Sequence, residues 1–180
     1  MKKTILMSLV IGCVGFAGVA SAADQASATF TWSGSVPMAP ISDGFIIKDS
    51  AGNDIERGTM VFNVDAAGKG SLASASTLDF NVYAYDGTTV GAPADSYDFR
   101  LISLEASKNG LPQEQDANGY YAIMADDAEM VKGATATVKA AGGVTNLTVV
   151  PATGVSTPSN QPLAGEAVDI HARIVISNAL

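Results

Sequence analysis

Short runs of alternating apolar and polar residues recur along this chain, and they constrain its fold more than any other feature. Leu78, Phe80 and Val82, for example, share one parity, and a polar residue follows each of the first two. Such alternation is typical of β-strands with one buried face. Further strands are predicted at residues 45–48, 59–65, 97–106, 120–125, 134–139, 144–150 and 167–177. The chain is therefore predicted to be all-β, in the form of a β-sandwich.

Three segments between these runs are predicted to be turns, loops or helix. Asn109-Gly110-Leu111-Pro112 is expected to end the strand of residues 97–106. Asp126 and Asp127 suit the start of a helix, so a helical turn is predicted at residues 125–132. Residues 151–162 are rich in Pro, Ser, Thr and Gly, which is typical of a loop.

The first residues have the pattern of a secretory signal peptide. Met1-Lys2-Lys3 is a short positive region, the residues 4–19 that follow are apolar or small, and Ala20-Ser21-Ala22 fits a cleavage site. We expect a signal peptide at residues 1–22 and export of the remaining chain. Removing the two lysines with the leader changes the net charge from −8 to −10. This acidity argues against nucleic acid and against an anionic membrane surface as partners.

The single cysteine of the chain, Cys13, lies within this leader. The residues Val10-Ile11-Gly12-Cys13 loosely resemble a lipobox, so a lipid-anchored protein is an alternative to a fully released one. If cleavage follows Ala22, the mature chain has no cysteine and no disulfide. Its stability must then come from burial and backbone pairing.

The sequence does not contain an arrangement of residues typical of an enzyme. His171 is the only histidine, and the alternation predicts it on the polar face of the last strand, beside Asp169 and Arg173. A Cys/His zinc site is excluded in a mature chain without cysteine. Asp126-Asp127 lacks the spacing of a calcium-binding loop. We expect no catalytic residue, no metal and no cofactor.

The stretch ASATFTWSGSV, residues 26–36, is a two-faced strand that is set apart from the rest of the chain. Hydroxyl-bearing residues occupy one parity, and Pro37 and Pro40 follow, which make a stiff link instead of a continued ladder. A detached strand with an apolar face has to find the edge of a sheet, in the same chain or in another copy. Its small and apolar parity consists of Ala26, Ala28, Phe30, Trp32, Gly34 and Val36.

The two ends of the chain resemble those of the chaperone–usher pilins of Gram-negative bacteria. Residues 29–40 are similar to the T-F-x-W-x-G-x-V-P-x-A-P start of the major subunits of enterotoxigenic colonisation-factor pili. In this chain they read Thr29-Phe30-Thr31-Trp32-Ser33-Gly34-Ser35-Val36-Pro37-Met38-Ala39-Pro40. The alternating strand from Val168 to Ile176 ends close to the C-terminus, as the last strand of the family does. The chain differs from the most familiar pilins because it has neither the early disulfide nor the penultimate tyrosine.

The resemblance implies an immunoglobulin-like sandwich that lacks its final strand, which leaves an apolar groove. It implies an N-terminal donor-strand extension at residues 23–36, a linker at 37–42 and a pilin domain at 43–180. The donor strand would pair with a neighbouring subunit by strand addition, and the six residues on its small and apolar face would insert into that subunit. The acceptor groove would be lined by Val168, Ile170, Ala172, Ile174 and Ile176.

The function implied by the resemblance is that of a structural subunit of an adhesive pilus on the cell surface, exported through the periplasm. Its partners would be identical subunits, a periplasmic chaperone, an outer-membrane usher, a tip subunit and a host-cell receptor. The alternative is a self-contained secreted or periplasmic β-sandwich binding module, in which residues 26–36 form an edge strand of their own sheet. A third hypothesis is a secreted hydrolase with dispersed carboxylates.

Overall fold

A computed structural model of the protein describes residues 44–140 and 142–180, which form β-strands joined by turns and loops. These residues belong to one unit of the chain, Gly34–Leu180. No residue among them is helical, and so this part of the chain has no helix that could cross a membrane. The predicted signal peptide, donor-strand extension and linker at residues 1–42 lie outside the described residues.

The strands follow the alternating runs of the sequence. In chain order they are β1 (Phe45–Lys48), β2 (Met60–Val64), β3 (Gly70–Ala75), β4 (Leu78–Tyr85), β5 (Val90–Pro93), β6 (Ser96–Lys108), β7 (Leu111–Glu114), β8 (Tyr121–Ala125), β9 (Ala128–Glu129), β10 (Thr137–Ala140), β11 (Thr145–Pro151) and β12 (Val168–Ser177). The strands predicted from the sequence are confirmed with small shifts at their ends, and the loop predicted at 151–162 is also observed after Pro151. The strands predicted from the sequence do not include β3, β5, β7 and β9.

Three antiparallel sheets are formed by the described strands. The largest has the order β1-β4-β11-β8-β9, with β5 also paired to β4. The second has the order β10-β6-β12, with β7 also paired to β6, and the third is the hairpin of β2 and β3. The prediction of an all-β chain is therefore confirmed.

The two larger sheets pack face to face, with aromatic residues of β4 and β6 at the centre of the contact. The ring centroid of Phe80 on β4 lies 5.8 Å from that of Tyr97 and 6.0 Å from that of Phe99, both on β6. These three side chains are almost fully buried. A second cluster, Leu101, Leu104 and Ile123, and a third, Ala106, Tyr120 and Tyr121, continue the apolar layer.

A β-bulge in β6 changes which residues of that strand face the core. Arg173 of β12 is opposite Ser103, but the next residue, Ile174, is opposite Leu101, so Ile102 is an extra residue in β6. A bulge of this kind shifts the side-chain alternation by one position. Leu101 and Leu104 are consequently both buried, at 2% and 5% exposure, although they are an odd number of residues apart.

The helical turn predicted at residues 125–132 is wrong. Asp126 and Asp127 have φ angles of 47° and 66°, and Ala125 pairs with Ala128 across them. Two residues with positive φ form a type I′ turn, whose twist suits a tight hairpin. The Asp126 carboxylate accepts hydrogen bonds from the Asn146 backbone N–H at 2.9 Å and from Lys139 Nζ at 2.7 Å. These bonds fix the turn against neighbouring strands and hold the pKa of Asp126 below its ordinary value.

A second hairpin turn of the same type ends β6 at Asn109-Gly110, as predicted. The two residues have φ angles of 51° and 81°, and Lys108 pairs with Leu111 across them. β6 does end there, but the chain returns along it as β7. The dipeptide Asn-Gly is a strong signal for such a turn, because both residues tolerate positive φ.

Tyr97 provides a buried polar link between the two sheets. Its side chain has no exposed surface, and its hydroxyl lies 2.8 Å from the Gly143 carbonyl and 2.8 Å from Thr145 Oγ1. Burial raises the pKa of the Tyr97 hydroxyl, which therefore stays protonated and can donate a hydrogen bond. The fully buried Thr145 hydroxyl depends on this partner.

We predict that Tyr97→Phe lowers the free energy of unfolding by about 1–3 kcal/mol, because it leaves buried polar atoms without a partner. The control is Tyr85→Phe, since the Tyr85 hydroxyl also bonds to a carbonyl, that of Gly87 at 2.9 Å, but near the surface. That change is expected to cost less than about 0.5 kcal/mol. Urea denaturation of both variants measures the difference, and equal losses would contradict the role given to the buried link.

Candidate functional site

β12 lies at the edge of the four-stranded sheet. It pairs with β6 from Val168 to Ser177, and no described residue pairs with its other side. β6 has further partners, because β7 and β10 occupy its opposite side. The open edge of β12 therefore presents backbone N–H and C=O groups that have no ladder partner within residues 44–140 and 142–180.

The direction of these backbone groups follows from the register. The Asn109 N–H donates to the Ala167 carbonyl at 2.9 Å. Alternate residues of an antiparallel strand exchange hydrogen bonds with the same neighbour. Ala167 bonds towards β6, and so does every second residue after it. The backbone groups of the residues between them, Val168, Ile170 and Ala172, therefore point away from β6, towards the open edge.

The inner face of β12 carries the five residues predicted to line an acceptor groove, and we call them the β12 strip. Four of them are partly buried and contact the core. Val168 and Ile170 contact the Tyr120–Tyr121 cluster, Ile170 and Ile174 contact the Leu101–Leu104 cluster, and Ile174 and Ile176 contact the Phe80–Tyr97 cluster. The strip therefore crosses all three clusters without being fully covered by any described residue.

Ala172, the fifth predicted residue, differs from the other four. It is exposed, although its cross-strand partner Leu104 is only 5% exposed. Cross-strand partners project from the same face of a sheet, so Ala172 belongs to the inner face. It is the one exposed member of the β12 strip.

Apart from Val175, the outer face of β12 is polar, as the alternation predicts. Asp169, His171 and Arg173 are all exposed, and His171 lies opposite Glu105 of β6. Among the described residues, no group of three His, Cys, Asp or Glu side chains could hold a metal ion. A shallow surface depression beside β12 is lined by Glu105, His171 and Arg173, together with Ser103, Pro112 and Ala172.

The chain enters β12 through a loop that is fixed by a charged pair. Lys108 Nζ lies 3.2 Å from Glu166 Oε2 and donates to the Gln161 carbonyl at 3.3 Å. Glu166 Oε2 also accepts a hydrogen bond from the Leu163 N–H at 2.7 Å. The Leu163 bond and the Lys108 ammonium hold the pKa of Glu166 below its ordinary value. This arrangement positions the first residues of β12 against β6.

The predicted donor strand is the other half of the predicted site. The predicted donor residues Ala26, Ala28, Phe30, Trp32, Gly34 and Val36 lie outside the described residues. A scan against protein-family models gives no match to the chain, and a search of curated proteins gives none either.

We predict that Glu166→Gln lowers the free energy of unfolding at neutral pH and has less effect in acid. A carboxylate whose pKa is lowered by folding stabilises the fold above its unfolded-state pKa, and this contribution is lost as the pH falls through the folded value. The wild-type and variant unfolding curves should therefore converge as the pH falls from 7 to about 3.

Urea denaturation of the mature chain across this pH range measures the convergence. Glu129→Gln, at an exposed position on β9, is the control for the loss of one negative charge. A difference between wild type and Glu166→Gln that stays constant with pH would contradict the assigned role of the carboxylate.

Proposed function

We propose that the chain is a structural subunit of an adhesive surface pilus, which polymerises head to tail by exchange of its N-terminal strand. The observation that carries this proposal is β12, which combines an open backbone edge with apolar inner side chains that contact the core and remain partly exposed. A strand that pairs with this edge would satisfy the backbone and cover the side chains together. The resemblance of both chain ends to chaperone–usher pilins supports the same conclusion.

The composition of β12 also supports a strand partner. Soluble proteins protect edge strands with Pro, Lys or inward-pointing charges. β12 has no proline, and its charged residues Asp169 and Arg173 lie on the outer face. The inner strip is therefore unprotected, and covering one of its isoleucines fully would contribute up to about 1.5–3 kcal/mol. Such an edge is suited to a specific partner strand.

Residues 26–36 have the length and pattern of the missing partner. Eleven residues in extended conformation span roughly 36 Å, and the ten residues of β12 span roughly 33 Å. Their apolar parity would meet the β12 strip, and their hydroxyl parity would face water. We infer that the domain is an immunoglobulin-like sandwich without its final strand, completed by residues 26–36 of another copy.

The remaining partners are proposed from the resemblance to the pilins. A periplasmic chaperone would cover the β12 strip first, and an outer-membrane usher would replace it with the extension of the next subunit. Head-to-tail addition of this kind does not close on itself, so it produces a filament. The protein would then act outside the cell without catalysing a reaction, in contact with identical subunits, a tip subunit and a host-cell receptor.

We predict that Trp32→Asp produces a folded chain that does not assemble, because a carboxylate replaces the largest apolar side chain of the donor face. The matched control is Ser33→Asp, which adds the same charge on the hydroxyl-bearing face and should still assemble. Refolded mature chains are run on SDS gels without boiling, where wild type and the control should form ladders.

Ladders from Trp32→Asp equal to those of wild type would contradict strand exchange. A wild-type chain that stays a stable monomer under all refolding conditions would instead favour the self-contained binding module.

A further inference from the structure

We propose that Ala172 sets the register of the incoming strand, because it leaves a notch in the β12 strip that receives Trp32 of a second copy. This inference rests on the proposed strand exchange and adds a specificity-determining residue to it. It is carried by the contrast between Ala172 and its neighbours on the same face.

The walls of the notch are Ile170 and Ile174. Both pack against the same core cluster, which contains Leu101 and Leu104. Residues that are four apart along a strand are separated by roughly 13 Å, with one inward side chain between them. That side chain is the methyl group of Ala172, so the space between the two isoleucines is nearly empty of protein atoms from β12.

The side of the notch towards β6 is apolar and deeply buried. Leu104 lies directly opposite Ala172 and is 5% exposed, and Leu101 lies opposite Ile174 and is 2% exposed. The extra residue Ile102 in β6 brings both leucines to the inner face at this point of the ladder. The bulge thus places one large side chain beside Ala172 and a second one beside Ile174, on the same face of the sheet.

Trp32 is the side chain that matches this space best. It is the largest residue on the apolar parity of 26–36, and an indole buries about 150–250 Å² in an apolar site. With Trp32 opposite Ala172, the flanking residues Phe30 and Gly34 meet Ile170 and Ile174 in either strand direction. The large side chain of Trp32 then lies beside the small one of Ala172. Gly34 has no side chain, so it leaves space for the isoleucine beside it. A shift by two residues would place Trp32 against an isoleucine.

The test is an exchange of sizes between the two positions in the full mature chain. Ala172→Trp fills the notch, Trp32→Ala removes the side chain that would occupy it, and the double variant carries both changes. Each single variant should raise the chain concentration needed for half-maximal assembly by about tenfold or more. The double variant should recover much of the loss, since coupled positions are non-additive.

Arg173→Trp is the matched control, because it adds the same side chain one residue away on the outer face. It should assemble like wild type. Circular dichroism of each variant establishes that it folds, and Ala172→Leu replaces Ala172→Trp if the larger side chain prevents folding.

The outcomes separate this inference from the proposed function. If wild type assembles and the double variant is as defective as the sum of the single variants, Ala172 does not set the register, although strand exchange stands. The same conclusion follows if Ala172→Trp assembles normally. If wild type itself does not assemble, strand exchange fails, and the register inference fails with it.

Discussion

The packing of β4 against β6 is the contact on which the rest of the structure depends. Phe80 lies within 6.0 Å of both Tyr97 and Phe99, measured between ring centroids. This contact joins the two larger sheets, and β6, with its thirteen residues, pairs with β7, β10 and β12. Since the mature chain is expected to lack a disulfide, these buried rings and the ladder around β6 take the place of covalent links. The position of β12, and with it the candidate site, follows from β6.

The sequence predicts the strands that have a clear apolar face, and it misses those that do not. β4 and β12 alternate plainly, whereas β3 (Gly70–Ala75) consists mostly of small residues and β5 (Val90–Pro93) is exposed throughout. Such segments become strands because a neighbour offers hydrogen bonds, which is a tertiary effect. The helix prediction at residues 125–132 is wrong for a related reason. The hydrogen bonds from Lys139 and Asn146 that fix the turn at Asp126-Asp127 come from residues distant in the sequence.

The same division applies to the candidate site. Alternation alone places Val168, Ile170 and their neighbours on one face, and their partial burial agrees with that pattern. The position of the exposed Ala172 beside the buried Leu104 depends on the register of β12 against β6. The bulge at Ile102 that shapes this region has no signal in the local sequence, since a register shift is defined only by two strands together.

The pairing of β12 with β6 also has a consequence for how the chain reaches its native state. Each residue of β12 is paired with a residue of β6 at least 60 positions earlier in the chain. Contacts between such distant segments form slowly, because a long loop must close before they contribute any stability. During synthesis, β6 is present long before β12, so the edge of β6 that β12 covers stays open to wrong partners until β12 pairs with it. The order of the strands along the chain thus leaves a partly synthesised chain open to strand pairing with other chains at this edge.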